Sequence, residues 1–191
     1  MSIDPPLSPT THAPHQQRTH ERTALPNGAT FSSLLAALPL TQVEGAVAGT
    51  FRTAGGEALV CEVHIDAHLR SARSIGRYLN TVGQASAPHI TKLPQTRHLV
   101  LLVDAHTTAP ALTVERACDR HAERIHVNIE RTYGIFISVT SVLVTGCTQP
   151  RLLAARVCEH IRNASPPAAV AIPWEATMAS PISRYAANQD C

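Results

Sequence analysis

Apolar, β-favouring runs alternate through the middle of this chain with amphipathic stretches of helical period, and the alternation recurs at a fixed distance. Leu99-Val-Leu-Leu-Val103 leads into Thr108-x-Pro110-x-Leu112-x-x-x-Arg116-x-Cys118, and Val142-Leu-Val144 leads into Thr148-x-Pro150-x-Leu152-x-x-x-Arg156-x-Cys158, at a constant offset of 40. Leu59-Val60-x-x-Val63 repeats Leu99-Val100-x-x-Val103 at the same offset, so a partial copy precedes the other two. A βα unit recurs where each helix must cover a sheet. The expected fold class is α/β, with repeated βα units packing their helices on a small sheet after an N-terminal β-hairpin.

The separate elements follow from the same periods. Phe31 to Leu38 reads as a short apolar helix, ended near Pro39. Gln42 to Thr53 and Ala58 to Asp66 read as two strands joined at Ala54-Gly55-Gly56, where glycine tolerates the positive φ of a tight turn. A helix from His68 to Val82 puts Ala72, Ile75, Leu79 and Val82 on one stripe and Arg70, Arg73 and Arg77 on another, with Gly83 as its stop. A linker with Pro88 and Pro94 holds a short strand at His89 to Leu93, ahead of the strand Arg97 to Asp104. The helix Pro110 to Thr132 buries Val114, Cys118, Ala122, Ile125 and Ile129, and turns Arg116 with Asp119 and Arg120 with Glu123 outward as pairs. Ile135 to Val144 forms a long strand or a tight β-β pair. Thr148 then caps a helix that enters through Pro150 and runs to Asn163. Cys118 and Cys158 hold matching places in the echo and are both expected to be buried.

Residues 1 to 28 contain five prolines and little aliphatic periodicity, so they are expected to form a disordered tail. The compact α/β domain is expected over residues 29 to 164, and residues 165 to 191 as a flexible C-terminal extension that Trp174 and Tyr185 can dock. A chain of 191 residues suits one such domain, and a formal charge of +2 demands no nucleic-acid partner. Of its sixteen basic residues only Lys92 is a lysine; arginine forks suit phosphate, but coding bias gives the same composition. Five scattered cysteines favour a reducing compartment. With no apolar leader or spanning run, the expectation is a cytoplasmic protein, at most peripheral to a membrane.

Three Cys-His neighbourhoods invite a metal: Cys61 with His64, Cys118 with His121, and Cys158 with His160. An odd spacing on a strand and a spacing of two on a helix set the first and last pairs on different faces, so only Cys118 and His121 share one. Two ligands do not make a structural zinc site. No metal, cofactor or catalytic residue is assigned, since Cys118 on an apolar stripe is a poor nucleophile. The Arg70, Arg73, Arg77 stripe is a candidate phosphate-tracking, RNA-binding face, with a merely solvated helix face as the other reading.

Three family resemblances bear on function. Glu57 and Glu62-Val-His64, on a hairpin followed by a helix, resemble the restriction-endonuclease-like nucleases, with His64 where that family carries a lysine. This resemblance implies a metal-dependent nuclease. Leu34 to Val47, ending Val43-Glu-Gly45-Ala-Val47, resembles the opening of the alkaline-shock protein family. Val100 to Val144, with Ile129-Glu-Arg-Thr-Tyr-Gly134 at its centre, resembles that family's closing half. Together they imply a non-enzymatic scaffold linked to the cell envelope or to stress, with a protein partner. Val142-x-Val144-x-Gly146 and Val114-x-x-Ala117 resemble KH domains, which implies RNA binding. Ile75-Gly76-Arg77 is the nearest remnant of that family's Gly-x-x-Gly loop, so such a unit would be degenerate. The leading expectation is a non-enzymatic binding or scaffold protein, with RNA binding as the alternative, a nuclease as the second, and oligomeric state left open.

Overall fold

The computed structural model describes residues 33–43, 46, 49–163 and 168–187. The expected tail of residues 1 to 28 lies outside them, as do Phe31, Glu44, Gly45, Val47 and Ala48. Six strands form one sheet in sequence order: β1 (Leu40–Gln42), β2 (Thr50–Thr53), β3 (Ala58–Ile65), β4 (His98–Ala105), β5 (Ser138–Leu143) and β6 (Ala169–Pro173). β1 to β3 are an antiparallel meander, and β3 to β6 are parallel. A helical turn, α1, at residues 33–36 precedes the sheet. Helices α2 (Ala72–Thr91), α3 (Ala111–Tyr133) and α4 (Pro150–Arg162) join the parallel strands, and α5 (Trp174–Ala179) and α6 (Ile182–Ala187) follow β6. The fold is α/β, with the β2–β3 hairpin turning at Gly56, whose φ is +71°.

The 40-residue echo is the register of the sheet. Leu59 pairs with Leu99 and Leu99 with Val139, while Val60 pairs with Val100 and Val100 with Thr140. Units of equal length bring their strands to the same height, so equivalent positions point the same way. Leu59, Cys61, Leu99, Leu101 and Val139 pack with α2 and α3. Val60, Val100, Leu102 and Val142 pack with α1, α4 and α6. Strand β4 is covered on both faces, as the continuous apolar run of a central parallel strand requires.

The third βα unit departs from the first two. Because β3 to β6 are parallel and lie in sequence order, helices on opposite faces give crossovers of opposite hand. Thus β5-α4-β6 is reversed relative to the two units before it. One hand dominates such connections, so occupancy must decide here. The 23-residue α3 packs against both β5 and β6, and its Asp119 Oδ1 accepts the Ala171 amide of β6 at 3.1 Å. The apolar surface left for Leu153, Val157 and Ile161 of α4 is the other face.

Several local expectations are corrected. Gln42 to Thr53 is not one strand, because β1 folds back on β2 with Gln42 opposite Phe51. Helix α2 begins at Ala72, where Ser71 and Ser74 form a reciprocal capping box, and it continues through Gly83 and Pro88. Its buried stripe of Ile75, Leu79, Gly83, Ser86 and Ile90 keeps helical spacing, and that burial overrides both breakers. His89 to Leu93 is therefore the end of a helix and not a strand. Gln149, without a side-chain hydrogen bond, is the N-cap of α4 in place of Thr148. Cys118 is buried, whereas Cys158 is only partly covered. Asp119 bonds β6 instead of pairing with Arg116. Residues 169–187, assigned at the level of sequence to a flexible extension, form β6, α5 and α6. Val170, Ile172 and Ile182 are core residues there, and Trp174 and Tyr185 pack against the core.

Gly83 sets the distance between α2 and α3. A Cβ there would lie 2.6 Å from Cγ1 and Cδ1 of Ile125, whereas one on Gly76 would meet nothing within 4 Å. Gly83→Val is expected to cost about 1–3 kcal/mol by overpacking this contact. Gly76→Ala is expected to gain up to about 1 kcal/mol from helix propensity. Urea unfolding of the two variants measures both signs.

Candidate anion-binding groove

Successive βα units lay α2 and α3 side by side and pointing the same way, with Gly83 and Ile125 in contact midway. On the N-terminal side of that contact the small residues Ala72, Gly76 and Ala117 leave a groove of about 570 Å³. Arg73 and Arg77 of α2 line one wall, and Arg120 and Arg124 of α3 line the other. Each pair is spaced by one helical turn, so both guanidiniums of a helix project to the same side. Among the described residues no carboxylate forms an ion pair with any of the four. Arg120 Nε donates to the Arg116 carbonyl at 3.1 Å, which steadies that side chain but leaves its charge unneutralised.

Like charges one turn apart cost an isolated helix about 0.2–0.5 kcal/mol per pair, and here two such pairs share one concavity. Guanidinium keeps its charge at every physiological pH, and its fork of N–H donors matches phosphate or carboxylate oxygens. His121 also lines the groove, is 3% exposed, and has neither ring nitrogen in hydrogen-bond geometry with a partner. Burial pushes its pKa down to about 4. The nearby Leu79 carbonyl opposes the shift and the charge of Arg124 adds to it. The groove thus offers four fixed positive charges and a neutral imidazole to an anion.

Two of the three arginines in the candidate RNA-binding set, Arg73 and Arg77, belong to this groove. Arg70 does not, because it precedes the helix and its Nε donates back to the Ala67 carbonyl at 3.4 Å. Arg120 and Arg124 lie outside that set: spacing alone pairs Arg120 with Glu123, but among the described residues no such ion pair forms and Arg120 Nε meets the Arg116 carbonyl instead. The signal available was the matching Arg-x-x-x-Arg spacing on two consecutive helices. Ile75-Gly76-Arg77 lies within helix α2 and not in a loop, with Gly76 and Arg77 lining the groove and Ile75 buried in the core.

The other candidate residues do not converge in this way. Glu62 and His64 share a face of β3, with Oε2 and Nε2 4.0 Å apart. Glu57 stands in the exposed turn before the strand, about 16 Å away along extended chain. Asp104 lies beside His64 in register, but it is held by His106 at 2.9 Å. Among the described residues no three of His, Cys, Asp and Glu are placed to hold a metal ion. The Cys118 thiol is pushed up to about 12, by burial first and then by Asp119 and Glu115, so it stays protonated at neutral pH. Among the described residues no helix is long and apolar enough to cross a membrane.

On the far face of the sheet, His160 of α4 meets the Thr140 hydroxyl at 3.1 Å and stacks edge-on against His98, with ring centroids 5.1 Å apart. Burial, and then the neighbouring His98, push His160 down to about 4; burial also lowers His98. A histidine held neutral in the fold gains a proton more readily once unfolded. Stability should therefore be complete above the ordinary value of 6.5 and fall as the pH drops toward 4. Thermal unfolding across that range is expected to show this loss, and the double variant His121→Asn, His160→Gln to flatten it.

Compared with protein-family models, with curated proteins and with solved structures, the chain matches none of them.

Proposed function

We propose that this protein acts by binding and that its ligand is a phosphorylated polyanion taken into the α2–α3 groove. The observation that carries the reading is the convergence of Arg73, Arg77, Arg120 and Arg124 on one concavity, with no carboxylate paired to them among the described residues. Charges of one sign on low-dielectric walls focus the field into the space between them, and an anion there offsets their mutual repulsion. The volume falls within the range of small-molecule sites, about 300–1,000 Å³. This reading keeps the expectation of a binding protein and of recognition by arginine, with Arg120 and Arg124 taking the place of Arg70.

A ligand that binds only the folded state raises its melting temperature. Inorganic triphosphate at low ionic strength is therefore expected to stabilise the protein, with the gain shrinking as salt is added. In the double variant Arg77→Gln, Arg124→Gln the gain should vanish, while the ligand-free melting temperature holds or rises because like charges have been removed. No stabilisation of the parent protein, or an equal gain in the variant, would sink the proposal.

A further inference from the structure

The groove does not end with the arginines. Past the Gly83–Ile125 contact it continues as a second concavity of about 240 Å³ that shares Asn80 with the first. Its lining changes character: Gln84, Asn128, Thr132 and Tyr133 replace the charged side chains, over an apolar wall of Ala87 and Ile129. Arg77 and Gln84 lie seven residues apart on α2, about 10 Å along the helix axis. The site is therefore cationic at one end and neutral at the other.

We infer that the ligand of this groove is a nucleoside polyphosphate, with its phosphates among the four arginines and its base among Asn80, Gln84, Asn128 and Tyr133. The inference rests on the polyanion reading and deepens it. A carboxamide presents a donor and an acceptor together, which is what the polar edge of a nucleobase requires. Tyr133, 43% exposed, offers a ring face for stacking. A nucleic-acid strand fits less well, because its phosphates recur along its whole length whereas the positive charge here is confined to one end.

Titration calorimetry with inorganic triphosphate, the four common ribonucleoside triphosphates and a 12-nucleotide uridine oligomer tests the assignment. At least one nucleotide should bind about tenfold more tightly than triphosphate, the worth of one or two added hydrogen bonds. The double variant Gln84→Ala, Asn128→Ala should lose that margin while binding triphosphate as before. Both side chains are exposed, so truncation spares the core, and unchanged triphosphate binding confirms an intact groove. If no nucleotide exceeds triphosphate, or the margin survives in the variant, the nucleotide assignment falls and the polyanion reading stands. Tight binding of the oligomer that no mononucleotide displaces overturns the assignment in favour of RNA. No binding of any phosphate compound by the parent protein removes both.

Discussion

Strand β4 is apolar on both sides, and its position at the centre of the sheet means that both faces must be covered. Leu99, Leu101 and Val103 face α2 and α3, while Val100 and Leu102 face the layer containing α4. Burying one such side chain is worth about 1.5–3 kcal/mol, so a bare face on this strand would forfeit a large part of a domain's net stability. The need for two layers outweighs the preferred hand of the last crossover. It also requires residues 169–187, since β6 supplies Val170 and Ile172 to the α4 layer and shields the outer side of β5.

The same requirement creates the groove. Two helices that leave and rejoin neighbouring parallel strands on one face lie side by side, and how closely they approach is set by the smallest side chains between them. Gly83 allows contact with Ile125 at one level, and Ala72, Gly76 and Ala117 leave a hollow at another. Four guanidiniums of like sign surround that hollow and repel one another. Some polar groups elsewhere find partners within the chain, as in Cys61 with Ser86 at 3.3 Å and Asp119 with the Ala171 amide, whereas the buried Ser141 Oγ and Trp174 Nε1 have none among the described residues. The α2–α3 concavity gathers four like charges, and an anion bound there can supply the compensation.

Much of the architecture was legible in the sequence. The spacing of 40 gave equal βα units, and equal units became an unstaggered register from Leu59 through Leu99 to Val139. The apolar stripe of α3, from Val114 through Cys118, Ala122 and Ile125 to Ile129, is buried as its 3.6-residue period dictates. The turn at Gly56 and two of the three arginines in the Arg70, Arg73, Arg77 stripe were legible for the same reason: each depends on residues close together in the chain.

Tertiary structure decided what local pattern does not encode. A helical period says which side of a helix is apolar, but not which face of the sheet that side will meet. The echoed sequences of α3 and α4 therefore settle on opposite faces, according to the space left by what is already packed. Gly83 and Pro88 read as breakers, yet α2 runs through both because its buried stripe extends to Ile90. The groove shows the same limit: Arg73 and Arg77 were legible within the Arg70, Arg73, Arg77 stripe, but Arg120 and Arg124 became their neighbours only when two parallel strands set their helices side by side.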